Sequence, residues 1–449
     1  MGIPPLIYVP TVPTYCAFLG HQPHVSLAEL SVLLPDIVVQ KLWSPYIMTF
    51  STAAELDSDW LRTVGGTVLL ARELRHIEPA SRSEKYHLNE VIPSLLMKEL
   101  KDVKRKATFS FRCFGIPRSD IRTLYRTCKQ YLRAKGYPSR YIGNERNPAK
   151  PGTLLLRGIP GPGTSELVIL RDERKGNLWI GATCAVQDIQ AYTERDMGKP
   201  FRDTKTGLLP PKLAQVLLNL SLLTLPSELR KTLLAKNTPG GAVKSSEGRT
   251  SWEKMTVWDP FCGSGVILLE ALHRRAHVLG SDKSERAVKG AEENVQWFRE
   301  KLKTPRAVTS TIWKHNALKS PELPSRPTVI VTETSLGPPL HAPLAKRELS
   351  LILRETEEQE IQFFRMLATS FPALPVVCTF PVYCARDGSH HFLPRIMNEL
   401  QELGYRFTYT ALKDIRYTDR HSLLYIRPDQ FVGREILCLL PPMRKQEVN

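Results

Sequence analysis

The sequence predicts a mixed α/β protein whose C-terminal part is a twisted α/β sheet. From Thr256 onward, apolar segments of strand length alternate with helical segments, which is the pattern of an α/β layer fold. A hydrophobic strand at 257–259 runs directly into a glycine turn and then into a helix at 266–276. The chain has 449 residues and exceeds one ordinary core, so two to three domains are expected.

Two smaller domains are predicted before this sheet. Residues 1–76 read as an α+β domain with an amphipathic helix at 27–34 and strands around Ile47 and at 68–70. Residues 77–190 read as a second domain, with a strand at 107–114, a helix at 118–135 and strands near 154–156, 166–170 and 178–186. Residues 191–255 form a connector, a helix beginning at Pro211 and a mobile loop at 237–253, and residues 256–449 form the sheet domain.

The second domain is densely basic between residues 98 and 146. Lys and Arg, including Arg112, alternate there with aromatic residues. Such a surface can bind a phosphate backbone, and its aromatic side chains can stack on unpaired bases. The alternative is a solvated basic helix whose aromatic residues belong to the core; we expect the individual aromatics to be core and the basic surface to be functional.

The glycine turn after the strand at 257–259 is the most specific indication of a ligand site in the sequence. It reads Asp259-Pro260-Phe261-Cys262-Gly263-Ser264-Gly265, and the next predicted strand ends at Asp282. Glycines let the main chain approach a ligand, the following helix offers its amino end, and an acid about 20 residues later can hold ribose hydroxyls. The Gly-x-Gly-x-x-Gly pattern and the P-loop lysine are both absent, so a nucleotide-cofactor loop of another type is predicted.

Composition narrows the class of partner. The formal net charge of +17 favours a polyanion, with nucleic acid as the leading candidate and a membrane surface as its competitor. No apolar run approaches the roughly 20 residues that span a bilayer, and the proline-punctuated start lacks a charged leader, so we expect a cytoplasmic protein without membrane association. The eight cysteines lack Cys-x-x-Cys spacing, and no metal site is expected.

The glycine turn resembles motif I of S-adenosylmethionine-dependent methyltransferases, in particular the tRNA guanosine-10 type of guanine N2-methyltransferase that carries a THUMP domain. The resemblance implies a Rossmann-like methyltransferase sheet and S-adenosyl-L-methionine as the cofactor. It assigns cofactor binding to residues around the turn and after the following strands: Asp259, Phe261, Gly263, Gly265, Asp282 and Asn316. Asn316 stands where the family often has an acid contacting adenine, and a role as a turn residue is the alternative.

The connector also resembles this family. Tyr192, Arg195-Asp196, Lys199-Pro200-Phe201-Arg202 and Pro210-Pro211-Lys212-Leu213-Ala214 follow the family's order, with Lys199 where arginine is common. The resemblance implies a THUMP-like RNA-binding domain at 77–190. We expect substrate contacts from Arg112, Arg195, Arg202 and Lys212.

The predicted catalytic loop departs from the family. After the strand at 329–331, amine methyltransferases have an acid or amide, two prolines and an aromatic residue, whereas this chain reads Thr332-Glu333-Thr334-Ser335-Leu336. Three interpretations stay open. Glu333 accepts the amine hydrogen while the base stacks on Tyr383, expected in the loop after the fifth strand; or the loop binds cofactor without turnover; or Glu333 only caps the turn. The first is favoured because an acid is correctly placed at this strand end.

The sequence therefore predicts an RNA methyltransferase, acting on guanine N2 of tRNA, with Glu333 as the catalytic acceptor. Two alternatives remain: a catalytically degenerate RNA-binding protein that retains the fold, and a DNA adenine N6-methyltransferase. An accessory subunit is compatible with the sequence.

Overall fold

The computed structural model describes residues 12–78, 88–103, 106–203, 209–235, 251–338, 340, 342, 345–385, 387–410, 412–427 and 430–442. It confirms the predicted fold class, because the chain is a mixed α/β protein with two multi-strand sheets. The chain forms two compact units. The first contains the described residues before His24 together with Leu34–Arg62 and Thr67–Ala191; the second contains His24–Leu33, Thr63–Gly66 and the described residues from Tyr192 onward.

The strands are β1 (Thr14–Leu19), β2 (Val38–Ser44), β3 (Ile47–Ser51), β4 (Thr67–Ile77), β5 (Ala107–Phe114), β6 (Ser139–Tyr141), β7 (Thr164–Arg171), β8 (Leu178–Val186), β9 (Thr256–Asp259), β10 (His277–Asp282), β11 (Ser310–Lys314), β12 (Val329–Glu333), β13 (Val376–Cys384), β14 (His390–His391), β15 (Arg406–Phe407), β16 (Leu423–Tyr425) and β17 (Val432–Leu440). The helices are α1 (Pro23–Leu33), α2 (Ser58–Leu61), α3 (Leu88–Glu99), α4 (Arg118–Ala134), α5 (Pro151–Leu156), α6 (Ile189–Met197), α7 (Pro211–Ser221), α8 (Ser227–Ala235), α9 (Val266–His273), α10 (Glu285–Leu302), α11 (Lys346–Ser370) and α12 (Ile396–Glu402).

The first unit contains a sheet with the strand order β2-β3-β1-β4-β8-β7-β5-β6. Successive side chains of a strand point to opposite faces of the sheet, and in β7 the side chains on both faces are buried. Leu167 and Ile169 join the cluster formed with α3 and α4, whereas Val168 and Leu170 join the cluster that includes Leu154 of α5. The sheet is therefore a central layer with a hydrophobic core on each face.

Aromatic residues of the basic stretch divide between core and surface. Phe109, Phe111 and Tyr125 are buried, as expected, and their rings contact one another. Tyr141 is 42% exposed, and the Lys129 ammonium lies 5.9 Å from its ring centroid.

The second sheet has the strand order β11-β10-β9-β12-β13-β17-β15, with β14 paired to β13 and β16 paired to β17. The strands from β11 to β13 are parallel, and β17 runs antiparallel to β13. The order reverses between β9 and β12, and ligands of open α/β sheets bind outside the carboxyl ends of the strands at such a switch point. The two strand ends here are Asp259 and Glu333.

The sequence predicts an amphipathic helix at 27–34, but helix α1 is buried along most of its length. Its Glu29 carboxylate accepts hydrogen bonds from the backbone N–H groups of Gly65 (2.9 Å) and Gly66 (2.7 Å) and from the Asn219 side chain (2.6 Å). These partners all belong to the second unit. A buried acid can be tolerated at this helix because each of these donors stabilises its charge.

Three strand expectations need correction. The segment at 154–156 is the end of helix α5, which Pro151 starts at its first turn, where a missing N–H costs nothing. The apolar pattern also predicts strand centres at 308–309 and 407–409, whereas the strands are Ser310–Lys314 and Arg406–Phe407. Of the loop predicted as mobile, residues 237–250 lie outside the described residues, and Ser251–Lys254 form a 3-10 helix.

None of the helices in the described ranges is long and apolar enough to cross a bilayer.

Arg112 on β5 forms a buried ion pair with Glu166 on β7. Its Nη2 donates to Glu166 Oε1 (3.1 Å) and to the carbonyl of Ala149 (2.6 Å), and the Thr183 hydroxyl donates to the same carboxylate (2.7 Å). The Arg112 side chain is 16% exposed and Glu166 is fully buried. Arg112, expected at the substrate surface, is therefore engaged in the interior of the sheet.

We expect Arg112→Ala to lower the free energy of unfolding by about 3–5 kcal/mol, because it strands the buried Glu166 charge. Denaturant unfolding of the full chain measures this, with Arg122→Ala as the control. Arg122 pairs with Glu145 at the surface, so its loss should cost under about 1 kcal/mol. Equal unfolding midpoints for the two variants, with selective loss of RNA affinity in Arg112→Ala, would contradict a structural role.

Candidate active site

The glycine turn after β9 has the backbone that the sequence predicts. Gly263 and Gly265 have φ values of 50° and 81°, in the left-handed region that favours glycine. The Gly265 N–H donates to the Cys262 carbonyl (2.7 Å), and the Cys262 N–H donates to the Ser281 carbonyl of β10 (3.0 Å). Among the described residues, a β-carbon added at Gly263 would meet nothing closer than the Phe261 carbonyl at 4.0 Å. The turn is thus fixed against β10, with open space beside Gly263 in this part of the chain.

Asp259 closes strand β9 and is almost fully buried. Its Oδ1 accepts hydrogen bonds from the Thr332 hydroxyl (2.7 Å) and from the Phe261 N–H (3.2 Å). Burial raises the pKa of Asp259 to about 7, these hydrogen bonds oppose the rise, and the charges of Asp282 and Glu333 add to it. The carboxyl group therefore titrates near neutral pH.

Asp282 ends β10 next to the turn. Its Oδ2 accepts from the Gly263 N–H (3.0 Å) and its Oδ1 from the Ser284 N–H (2.8 Å). The carbonyl of Asp282 accepts from His315 N–H (2.9 Å), which brings the segment after β11 alongside. In that segment Asn316 is exposed, and its Oδ1 accepts from the Leu318 N–H (3.1 Å), as a turn residue would. The expected cofactor residues therefore lie along adjoining strand ends.

Phe261 and the connector pack around the turn. The ring of Phe261 is half-buried and meets Phe363 edge-on at a centroid distance of 5.0 Å. Asn294 of α10 donates to the carbonyls of Ser264 (2.8 Å) and Phe201 (3.0 Å) and accepts from the Phe201 N–H (2.9 Å). One amide side chain thus fixes the connector to the glycine turn.

Glu333 lies at the carboxyl end of β12, where the sequence places it. Its Oε1 accepts a hydrogen bond from Arg434 Nε of β17 at 2.5 Å. Both side chains are largely buried, with 12% of Glu333 and 3% of Arg434 exposed. Burial raises the pKa of Glu333, and the Arg434 charge and hydrogen bond oppose that rise. No backbone N–H of the described loop residues donates to the Glu333 carboxylate, whose hydrogen bond is to Arg434, so Glu333 does not cap the turn there.

The loop after Glu333 is held by side-chain hydrogen bonds. The Thr334 hydroxyl donates to the Thr379 carbonyl of β13 (2.8 Å). The Tyr383 hydroxyl donates to the Leu336 carbonyl (3.1 Å) and shares a hydrogen bond with the Thr356 hydroxyl of α11 (3.2 Å). Polar groups of β13 and α11 therefore constrain this segment.

Gly337 packs against the same hydroxyls. Its φ is 76°, and a β-carbon added there would come within 2.5 Å of the Tyr383 hydroxyl oxygen and 3.3 Å of Thr356 Oγ1. The close approach of the loop to Tyr383 requires glycine at this position.

The expected role of Tyr383 needs correction. Tyr383 lies within β13 and not in the loop after it, and its ring is fully buried. It presents no face on which a base can stack; it fixes the loop through its hydroxyl instead.

Glu360 of α11 is a buried acid beneath this loop. Its carboxyl faces the Thr334 side chain and the Ser335 backbone without closing a well-formed hydrogen bond to either, among the described residues. Burial raises the pKa of Glu360 to about 8, with these two groups opposing the rise. The group is therefore mostly protonated at neutral pH, which reduces the cost of burying it.

The expected substrate contacts of the connector are largely internal. Arg195 is buried, pairs with Glu270 of α9 (2.7 Å) and lies 4.5 Å above the Tyr192 ring. Lys212 is half-buried with its ammonium 5.1 Å from the same ring, and burial, followed by the charge of Arg427, lowers its pKa. Arg202 is half-buried, and its Nε has no hydrogen-bond partner in the described part of the chain.

Sequence reasoning missed Arg434, Glu360 and Asn294. Two of them carried a signal, since a charged residue within an apolar segment is rarely buried without a partner or function. Arg434 interrupts the apolar pattern of β17, and Glu360 occupies the same face of α11 as the buried Phe363 and Phe364. No group of three or more His, Cys, Asp or Glu side chains in the described ranges is arranged to hold a metal ion.

Comparison with known proteins gives structural similarity at low identity. No protein-family model matches the chain, and no curated protein sequence matches it. Among solved structures, TrmN from Thermus thermophilus is 13% identical with a TM-score of 0.47, covering 95% of this chain and 99% of its own. The putative methyltransferase SMU.472, complexed with SAH, is 10% identical with a TM-score of 0.44, covering 96% and 99%. A predicted N6-adenine-specific DNA methylase from Listeria monocytogenes is 11% identical with a TM-score of 0.42, covering 82% and 89%. Similarities at this level do not define the activity of this chain.

We expect Tyr383→Phe to loosen the loop while keeping the core packed. The variant leaves the Leu336 carbonyl without its donor, so the free energy of unfolding should fall by about 1 kcal/mol and amide hydrogen exchange should accelerate at 334–338. Tyr405→Phe is the matched control, because the buried Tyr405 hydroxyl has no hydrogen-bond partner among the described residues. Equal exchange in the two variants would show that the Tyr383 hydroxyl does not hold the loop.

The buried Glu360 predicts a pH-dependent stability. Its folded-state pKa of about 8 lies above the ordinary value of 4.5, so the folded state holds a proton that the unfolded chain releases between these values. The corresponding stability is present at low pH and is lost as pH rises toward 8, by up to about 1.4 kcal/mol per pH unit. Denaturant unfolding from pH 5 to 8 should show a flatter profile for Glu360→Gln than for wild type. The exposed Glu355→Gln on the same helix should keep the wild-type slope; a Glu360→Gln profile as steep as wild type would be inconsistent with this assignment.

Proposed function

We propose that this chain is an S-adenosylmethionine-dependent RNA methyltransferase that modifies guanine N2 of tRNA. The observation that carries the proposal is an acid, Glu333, held at the carboxyl end of β12 beside the glycine turn of β9, at the switch point of the sheet. Two strand ends thereby place a candidate hydrogen acceptor next to a candidate cofactor loop.

The residues after β9 and β10 fit the proposed cofactor. The open space beside Gly263 lets a ligand reach the backbone, and the Asp282 carboxylate at the adjoining strand end is an acceptor suited to ribose hydroxyls. Asp259, Phe261 and Gly265 would complete this side of the site, with Asn316 toward the adenine. When bound, S-adenosylmethionine supplies an electrophilic methyl group.

Glu333 would orient the substrate amine. Among the described residues its Oε1 bonds to Arg434 and its Oε2 accepts no hydrogen bond, which leaves an oxygen to accept an N–H of the exocyclic amine. That hydrogen bond aims the nitrogen lone pair toward the methyl carbon. As the amine becomes methylated, its proton would pass to the Glu333 carboxylate, so positioning supplies most of the rate and no strong base is needed.

The first unit supplies a surface suited to RNA. Helix α4 exposes a basic row consisting of Arg118, Arg126, Lys129 and Arg133. Together with the half-exposed Tyr141 ring and the formal net charge of +17, this row favours a phosphate backbone with unpaired bases as partner. We propose that residues 77–190 are a THUMP-like RNA-binding domain, between an α+β domain at 1–76 and the connector at 191–255.

The test is methyl transfer to RNA. The protein is incubated with labelled S-adenosylmethionine and undermodified total RNA, and the labelled nucleoside is identified after digestion. We expect N2-methylguanosine, with kcat reduced about 100-fold or more in Glu333→Ala because the amine loses its positioning acceptor. Glu355→Ala, an exposed acid on α11, should retain wild-type activity.

Other outcomes separate the alternatives. Cofactor and RNA binding without methyl incorporation would favour a degenerate RNA-binding protein, an alternative that the altered Thr334-Ser335-Leu336 segment keeps open. Methylation of adenine N6 in DNA, with no methylation of RNA, would favour a DNA adenine N6-methyltransferase. Full activity in Glu333→Ala would remove this residue from the mechanism.

A further inference from the structure

Arg434 forms a hydrogen bond with Glu333, the candidate catalytic acid. It lies on β17, and β13 separates that strand from β12, so its side chain reaches across one strand to meet Glu333. The Nε–Oε1 distance of 2.5 Å places the guanidinium and the carboxylate in direct, charge-assisted hydrogen-bond contact. Both groups are buried at the edge of the sheet where the candidate site lies.

The contact uses only one carboxylate oxygen of Glu333. In the described part of the chain, Oε1 is bound to Arg434 and Oε2 accepts no hydrogen bond, although the Glu333 side chain retains 12% exposure. A carboxylate anchored in this way is an acceptor with one oxygen fixed and the other available. A protonated carboxyl in the same place could instead donate a hydrogen bond.

We infer that Arg434 is a positioning residue that keeps Glu333 as a fixed anionic acceptor, so that the site selects a substrate atom carrying N–H over one that can only accept. The inference rests on the proposed function for its substrate and deepens it, because it names the group that decides which hydrogen-bonding partner the site takes. An exocyclic amine satisfies the requirement, and a ring nitrogen or carbonyl oxygen does not.

The charges around Glu333 give the direction of the effect. Arg434 faces it from β17; Asp259 of β9 couples to it as a like charge; Thr379, its neighbour on β13, does not titrate. Glu360 of α11 acts on the Thr334 and Ser335 groups of the following loop. Removing Arg434 leaves burial unopposed, so Glu333 should stay protonated to a higher pH.

The first measurement is the protonation of Glu333 in the full-length protein without substrate. Infrared carboxylate bands are followed from pH 4 to 10 and assigned to Glu333 by difference from Glu333→Gln. The midpoint should rise by about one to three pH units in Arg434→Met, the range over which a nearby opposite charge acts. The control is Arg420→Met, which removes a partly buried arginine paired with the buried Glu435 of β17 and should leave the Glu333 midpoint unchanged.

The second measurement is the pH–rate profile of methyl transfer. In Arg434→Met the acidic limb should move upward with the Glu333 midpoint and activity should partly recover at high pH, whereas Glu333→Gln, which keeps an acceptor oxygen but does not titrate, should show no such limb. A structural role alone would lower activity uniformly across pH. Arg434→Lys keeps a cation but not the Nε–H geometry, so kcat should fall with the KM for S-adenosylmethionine retained and a midpoint between those of wild type and Arg434→Met.

The outcomes separate this inference from the proposed function. An unmoved Glu333 midpoint in folded Arg434→Met overturns the inference even if the wild type methylates RNA. If the Glu333 midpoint is higher in Arg434→Met than in wild type, but neither protein transfers a methyl group to any RNA, the inference on Arg434 stands and the proposed function is rejected. If Arg434→Met does not fold, Arg434→Lys decides, because wild-type kcat, KM and midpoint in that variant would overturn the inference.

Discussion

A hydrogen bond from the Thr332 hydroxyl to the Asp259 carboxylate, 2.7 Å long, joins the two strand ends at which the second sheet reverses its order. Thr332 precedes Glu333 directly, and Asp259 also accepts from Phe261 in the glycine turn. The contact therefore sets the position of the acceptor loop relative to the turn. Since both groups are buried, removing one partner would leave the other without this hydrogen bond in the interior, at a desolvation cost.

Buried acids at this edge are differentiated by what faces them. Glu333 has an arginine, Asp259 has hydrogen-bond donors and like charges, and Glu360 has little beyond weak polar contact. Burial raises the pKa of all three carboxyl groups, and the groups that oppose the rise differ from one acid to the next. Perturbed pKa values of this kind cluster at functional sites.

Local sequence patterns predicted the elements that local physics determines. The glycine turn needs left-handed backbone at Gly263 and Gly265, alternating apolar residues mark β5, and a mostly apolar run marks β8, so these elements could be predicted from the sequence. Residues that act through distant partners were not. Glu333 and Arg434 are 101 positions apart, and no periodicity links them.

The same limit explains the errors. Arg112 and Arg195 looked like surface cations because their carboxylate partners lie 54 and 75 positions away. Tyr383 looked like a loop residue because the length of β13 depends on its pairing with β17, which continues to Val432. The segment at 154–156 is wrongly predicted as a strand because three consecutive leucines fit either structure. Pro151, at the first turn of helix α5, favours the helix.

The placement of Glu29 has a consequence for the order in which the chain matures during synthesis. Its amide partner Asn219 follows it by 190 positions, so a ribosome has released helix α1 long before the donor exists. Until then the carboxylate and the Gly65-Gly66 turn must remain hydrated or be sheltered by other contacts. A fragment beginning at the connector would lack Glu29 and Thr63. Its Asn219 would then lose the Glu29 carboxylate and the Thr63 carbonyl, and the buried Arg274, whose Nη2 donates to the Thr63 carbonyl, would lose that acceptor. The second unit thus includes two segments, His24–Leu33 and Thr63–Gly66, that are synthesised before the rest of it, and a cut at the connector would separate them from that unit.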